Sequence, residues 1–311
     1  MKYRGYQLDF LTAVHIGRGH LEDAESFLTA DTLFSALCIE ALSAGAEKLE
    51  ELVRCARTAQ LRLSDAFPYH GKVFYIPKPL AAIDTGEEGS SVVKKKARKL
   101  EYIPADKVSD YLAGKLDVVT EYEALREMGQ EEVRTKVQTR ETEDNVPYTV
   151  GTYSFSADWG LYVIVGYESA EALSLAEDLL KRLSYSGIGG RRSSGLGRFE
   201  LRSAELSESF TGKLTVDADR SSGSFLLLAS SLPDGDLEDG CRGARYRLIR
   251  RSGFVYSETF AAQPVRKKDG YLFRSGSVFT RTYAGKLEDA GIDGSHSVYR
   301  YAYPVFMEVL R

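Results

Sequence analysis

Five glycines, Gly187, Gly189, Gly190, Gly195 and Gly197, fall within eleven residues, interleaved with Arg191, Arg192, Ser193 and Ser194 and followed by Arg198. Neither a helix nor a strand holds glycine at that density, because a fixed glycine gives up more backbone freedom than any other residue. The run is therefore a loop, and its flanks set the topology. Before it, Ser169 is placed to cap a helix running to about Leu183, with Leu173, Ala176, Leu179, Leu180 and Leu183 on its inner face. After it, Arg198–Leu206 reads as a strand. The loop leaves a helix and opens a strand.

The preceding segments complete a pattern. Lys2–His15 reads as a strand with Tyr6, Leu8, Phe10, Thr12 and Val14 on one face. A helix over Asp31–Ser43 places Leu33, Phe34, Leu37, Cys38, Ala41 and Leu42 inward, and Ala46–Thr58 follows as a second amphipathic stretch. Thr29 or Asp31 suits the first helix start. Strands are expected at Leu61–Ser64 and Lys72–Ile76. Residues 85–130 read as an insertion with loop composition over Gly86–Ser91, a basic cluster at Lys94–Lys99, and short helices at Pro104–Ala113 and Thr120–Met128. Val133–Thr142 and Tyr148–Phe155 read as a hairpin, and Leu161–Gly166 as a buried strand. Strand, helix, strands, helix, strand is the ferredoxin-like βαββαβ order, which assigns residues 1–206 to one domain. Residues 207–311 are strand-rich, at Ser224–Ser230, Ala244–Tyr256, Gly270–Phe279 and Ser297–Leu310. They are expected to form a second, ferredoxin-like (RRM-like) domain, making the fold class α+β.

The loop's chemistry suits a phosphodiester backbone. Glycine lets backbone N–H groups approach an anion, arginine adds charge-assisted contacts to phosphate, and serine hydroxyls add donors. Two nucleotide motifs fail. Gly190–Gly195 has the spacing of a P-loop, but Leu196-Gly197 stands where Lys-Ser/Thr is required. A dinucleotide fingerprint from Gly187 needs a glycine at Arg192, and needs to follow a strand and open a helix. In the hairpin, Val133, Thr135, Val137 and Thr139 alternate with Arg134, Lys136, Gln138 and Arg140, so one face is neutral and the other basic. Tyr148, Tyr153 and Tyr185 are placed to stack on bases.

The formal net charge is −4, unlike a free-standing nucleic-acid binder, but opposite charges are segregated. Glu-rich 121–132 precedes the hairpin cations, and acidic 234–239 precedes basic 242–251. Three scattered cysteines, Cys38, Cys55 and Cys241, point to reduced thiols in a cytoplasm. The longest apolar runs, such as Phe225–Ala229, are too short to span a bilayer, and no signal-peptide-like stretch follows Met1. The four histidines, His15, His20, His70 and His296, have no zinc spacing, so neither metal nor cofactor is expected.

A helix followed by Gly187-Ile-Gly-Gly-Arg-Arg-Ser-Ser-Gly-Leu-Gly-Arg-Phe199 resembles the glycine-rich loop of the RAMP superfamily of CRISPR-associated proteins. Phe10–Gly17, Ala30–Leu37 and Val298–Tyr303 extend the likeness across the chain, which is similar to the fourth Csm subunit of type III-A effector complexes. The resemblance implies two fused ferredoxin-like domains, no catalytic activity, and binding of the five-prime repeat tag of CRISPR RNA. It implies contacts with the large polymerase-like Csm subunit and a backbone Csm subunit. A β-hairpin thumb, here matched by 133–155, would meet target RNA through the complex. The expected RNA-binding residues are His15, Arg18, Arg134, Lys136, Arg140, Gly187, Gly189, Gly190, Arg191, Arg192, Ser193, Ser194, Gly195, Gly197 and Arg198. Two other readings stay open. One is a RAMP-type endonuclease cutting repeat RNA with His15 or His20, and the other is a protein scaffold without RNA contact.

Overall fold

A computed structural model of the chain describes residues 1–17, 19–81, 91–138, 146–217, 220–235, 238, 241–257 and 259–310. The elements up to residue 204 are β1 (Lys2–Phe10), α1 (Ala30–Ala44), α2 (Ala46–Arg57), β2 (Leu61–Leu63), β3 (Phe67–His70), β4 (Val73–Pro77), α3 (Ser91–Lys99), β5 (Tyr102–Pro104), α4 (Val108–Leu112), α5 (Val118–Arg126), β6 (Gly129–Gln138), β7 (Val146–Phe155), β8 (Trp159–Tyr167), α6 (Ala170–Ser186) and β9 (Phe199–Ala204). One antiparallel sheet runs β5-β4-β3-β8-β1-β9, with β2 also paired to β8. The residues of β8 up to Gly166 are buried, as a strand covered on both faces requires. β1 lies beside it, and the crossovers from β1 to β2 and from β8 to β9 carry α1 and α6.

Both helices begin where their caps dictate. The Thr29 hydroxyl accepts from the Thr32 amide at 3.3 Å, and Ser169 accepts from Ala172 at 3.2 Å. Asp31, in the first turn, caps nothing; it pairs with Arg251 at 3.1 Å. Leu33, Phe34, Leu37 and Ala41 of α1 and Leu173, Ala176, Leu179, Leu180 and Leu183 of α6 are buried, whereas Cys38 is partly covered and Leu42, expected inward, is 58% exposed at the edge of the α1 face. The basic cluster 94–99 lies on α3, and β3 and β5 are strands too short to show a period of two. Among the described residues no helix is long and apolar enough to cross a membrane.

The remainder comprises α7 (Glu208–Thr211), β10 (Leu214–Thr215), β11 (Ser221–Leu227), β12 (Leu248–Arg251), β13 (Gly270–Phe273), β14 (Val278–Arg281), β15 (Lys286–Asp289), β16 (Tyr299–Ala302) and β17 (Phe306–Leu310). It builds a sheet β10-β17-β11-β14 and two ribbons, β12-β13 and β15-β16. Among the described residues from Leu248 to Leu310 no helix intervenes, so the strand–helix alternation expected of this half is absent there. Nor is residue 206 a break in packing. Leu226, Leu228, Tyr301, Val305 and Met307 belong to the same core as Leu8, Leu37 and Leu180. The Phe34 and Tyr301 rings lie 5.0 Å apart, and the Tyr301 hydroxyl accepts from the Leu63 amide at 2.9 Å.

A buried carboxylate fastens the two halves. Asp65 accepts from the Ala30 amide (2.7 Å), the Ser230 amide (2.9 Å) and the Ser230 hydroxyl (2.7 Å). Burial nevertheless pushes its carboxyl above the usual range, against the pull of these donors. A carboxyl raised in the fold stabilises fully below its unfolded value and loses that contribution as pH rises through the folded one. Asp65→Asn keeps an acceptor for both amides and a donor for Ser230. Its thermal midpoint should therefore exceed that of the parent at pH 8, with the gap closing near pH 4. Asp65→Ala orphans the amides and should lower stability by about 2–5 kcal/mol in denaturant unfolding.

Candidate nucleic-acid interface

Beyond Phe10 the first strand leaves the regular ladder, yet its backbone remains bonded on both sides. On one side the Leu11 amide donates to Arg198 O (2.9 Å), Gly197 donates to Ala13 O (2.9 Å) and Gly190 donates to His15 O (2.8 Å). On the other, Val14 and Tyr153 exchange amide bonds of 2.9 and 2.8 Å. His15 Nδ1 lies 2.6 Å from Gly151 O; a carbonyl only accepts, so Nδ1 carries the proton. The segment 11–16 thus joins the glycine-rich loop to the β6–β7 hairpin.

Four of the five glycine N–H groups are bonded within the chain: Gly187 donates to Leu183 O, Gly195 to Arg192 O, and Gly190 and Gly197 to the first strand. A Cβ on Gly189 would lie 2.5 Å from His15 O, and one on Gly190 2.6 Å from the His15 ring. The loop also contributes to the core, since Ile188 is fully buried and Leu196 nearly so. Its exposed positions carry Arg191, Ser193, Ser194 and Arg198.

Those side chains differ in availability. Arg191, in the left-handed region at φ 59°, is exposed, and its guanidinium lies 4.9 Å from the centre of the Tyr148 ring. Arg192 is half-buried, 3.6 Å from the Glu40 carboxylate and 5.3 Å from the Tyr256 ring centre. Glu40 also accepts from the Ser186 hydroxyl at 2.5 Å. Arg198 is exposed and donates through Nε to Tyr185 O at 3.1 Å. Ser193 and Ser194 are exposed on a short 3₁₀ turn. Glu40 and Tyr256 escaped the sequence reading. The one signal was Glu40 itself, a charge on the apolar face beside Leu37 and Ala41.

The hairpin pairs from Gly129–Phe155 to Gln138–Val146 as its own two-stranded sheet. Along β7 it is tied to the body by the Gly151 amide donating to Leu21 O (2.8 Å) and the Thr149 hydroxyl donating to Glu22 (2.5 Å). Val133 and Val137 are 63% and 52% exposed, so the outer strand β6 is open to solvent while Val150 to Tyr153 of β7 are buried against the body. Directly opposed residues share a face, and Lys136 opposes Tyr148. The basic face of the hairpin is therefore the one onto which Arg191 reaches. Arg134 is already engaged with Glu132 at 2.9 Å, and this bond holds the Glu132 carboxyl below its usual range. Tyr153 is buried edge-on against Phe155, so it is no stacking platform, whereas Tyr185 is 68% exposed. Arg18 and Arg140 lie outside the described residues.

His15 is buried, while exposed His20 lines the same cleft of about 450 Å³ together with Thr29, Thr32 and Arg250–Gly253. Among the described residues no group of His, Cys, Asp and Glu could hold a metal ion.

Two glycines separate backbone strain from crowding. At Gly197 (φ +75°) a Cβ would lie 2.0 Å from Ile188 O, whereas at Gly195 (φ +82°) it meets open space. Gly197→Ala should cost about 2–5 kcal/mol, and Gly195→Ala only the left-handed penalty of about 1–2 kcal/mol, in denaturant unfolding. Arg192→Ala strips Glu40 of its cation and should destabilise by about 1–3 kcal/mol, whereas exposed Arg191→Ala should leave the midpoint nearly unchanged.

Residues 7–200 match the RAMP superfamily, and residues 220–309 match the CRISPR Csm4 C-terminal domain. The CRISPR system Cms protein Csm4 of Mycobacterium tuberculosis is 40% identical over 310 residues, covering 99% of this chain and 98% of its own. That of Streptococcus thermophilus is 34% identical over 318 residues, covering 99% of each. Among solved structures, a chain of the Csm3-Csm4 subcomplex in the type III-A CRISPR-Cas interference complex aligns with a TM-score of 0.67 at 18% identity over 99% of both chains. A chain of the Csm1-Csm4 cassette in complex with pppApA gives 0.61 at 19%, over 99% of this chain and 98% of that one. With the glycine-rich loop, the hairpin and the C-terminal sheet all inside the matched lengths, the chain belongs to the Csm4 family of the RAMP superfamily.

Proposed function

We propose that the chain is a non-catalytic, guide-RNA-binding subunit of a type III-A interference complex in the cytoplasm. It holds the five-prime repeat tag of CRISPR RNA and contacts the large polymerase-like Csm subunit and a backbone Csm subunit. The observation that carries this reading is the convergence of distant segments on one strand end, which brings Arg191, Lys136 and Tyr148 onto one surface, with Arg198 and Tyr185 on the same loop and its helix. Cations close to a half-exposed Tyr148 and an exposed Tyr185 suit an unpaired strand, with phosphate on the charges and bases on the rings. The strand order β9-β1-β8-β2, with α1 and α6 as crossovers, supports a ferredoxin-like first domain over 1–206. Residues 207–311 form the proposed second domain, and the β6–β7 hairpin the thumb that meets target RNA. The solved relatives are themselves pairs with Csm3 and Csm1, which supports the assigned partners.

An endonuclease reading fares worse at His15, whose Nδ1 is tied to a carbonyl and whose ring is packed under Gly190. That geometry makes it a brace. The purified chain should leave repeat RNA intact with or without divalent metal; metal-independent cleavage lost in His15→Ala would establish the enzyme instead.

Backbone contacts do not read sequence. In the assembled complex, Arg191→Ala, Arg198→Ala and Lys136→Ala together should weaken guides of different tag sequence about equally. The slope of log affinity against log salt should fall by roughly 0.7 per contact removed. Unchanged guide occupancy in this folded variant would favour a scaffold that does not touch RNA.

A further inference from the structure

The half of the chain beyond residue 206 presents two aromatic rings in an unusual way. In the extended segment after β12, exposure alternates so that Phe254 and Tyr256 point outward, at 56% and 75% exposed, while Gly253, Val255 and Ser257 are partly covered. Antiparallel bonds hold it extended: Val255 N donates to Val265 O (2.9 Å) and Lys267 N to Gly253 O (2.8 Å). A solvent-facing strand edge ordinarily carries polar side chains on its outward positions. Here those positions are large rings.

Each ring is covered by an arginine. The Arg266 guanidinium lies 5.2 Å from the Phe254 centre, and that of Arg192, from the glycine-rich loop, 5.3 Å from the Tyr256 centre. A ring with a cation against one side and high exposure otherwise is a stacking platform, since a base can take the remaining face. Alternate residues of an extended chain repeat at about 6.6 Å, so two such rings can take two splayed, unpaired bases. Arg192 makes Tyr256 continuous with the loop.

We propose that Phe254 and Tyr256 form a base-stacking arm for two unpaired RNA bases beside the glycine-rich loop, so that the C-terminal half completes the RNA site. The inference rests on the function proposed above and assigns it a second set of contacts. Rings bind bases without neutralising phosphate, so their signature differs from that of the arginines: affinity falls while the salt dependence stays.

The test uses the assembled complex with guide RNA carrying 2-aminopurine at each tag position in turn, comparing the parent, Phe254→Ala/Tyr256→Ala, Phe254→Trp/Tyr256→Trp and the Arg191/Arg198/Lys136 variant. The double alanine variant should bind guide at least about tenfold more weakly with an unchanged salt slope, and two adjacent 2-aminopurine positions should brighten as their stacking is lost. The double tryptophan variant should restore both. Full affinity and unaltered fluorescence in the double alanine variant, with weakened binding in the arginine and lysine variant, would overturn the arm and leave the proposed function standing. Unchanged binding in both would overturn the two together. Loss of a protein subunit from the double alanine complex with guide retained would overturn the arm in favour of a protein-docking face.

Discussion

Segment 11–16 is where the glycine-rich loop and the β6–β7 hairpin are joined. Up to Phe10, β1 is flanked by β8 and β9 in an ordinary ladder. Beyond it, the glycine-rich loop takes the place of β9 and the end of β7 takes the place of β8, so the backbone groups of Leu11, Ala13, Val14 and His15 stay paired. Phe10 closes the junction, stacked on Phe155 at 4.9 Å and tilted against Phe199 at 5.8 Å. Since unpaired buried amides are costly, the loop and hairpin cannot leave this seam independently. The cation–ring contact of Arg191 with Tyr148 follows from that shared anchor.

The seam also explains why an acidic chain can own a basic site. A formal charge of −4 opposes a polyanion at long range, but the potential near the loop depends on which cations are already neutralised. Arg134 and Arg192 have carboxylate partners within the chain, and Arg192 is half-buried with its partner. Arg191 and Arg198 project from the loop, and Lys136 from the hairpin. A few charges on a fixed frame fit the proposed function, in which neighbouring subunits would hold the same RNA and the affinity of each contact would be multiplied by the others.

Much of this was legible in the sequence. The caps Thr29 and Ser169, the faces of α1 and α6 and the hairpin arms emerged from local rules, because those elements are fixed by their own hydrogen bonds and periodicity. The glycine-rich loop was found for its composition, but a second demand for glycine, where the loop meets Ala13, His15 and Ile188, is revealed only by tertiary packing. The partners of Arg192 lie about 150 residues upstream and 60 downstream, beyond any sequence window. The continuous core across residue 206 was hidden for the same reason, since Phe34–Tyr301 and Asp65–Ser230 are contacts between segments that look independent. In the second half, strands such as β12 and β13 are four residues long, too short for alternation to mark them.

The central claim is that loop and hairpin act as one RNA-binding surface built on the end of the first strand. Photocrosslinking in the assembled complex tests it most directly, using guide RNA with 4-thiouridine placed through the five-prime tag and mass spectrometry to map the crosslinked peptides. Crosslinks from neighbouring tag positions should fall on peptides containing Tyr148 and on those containing Tyr185 to Arg198. Crosslinks that avoid both segments and gather elsewhere, for example on the basic helix Ser91–Lys99, would contradict it.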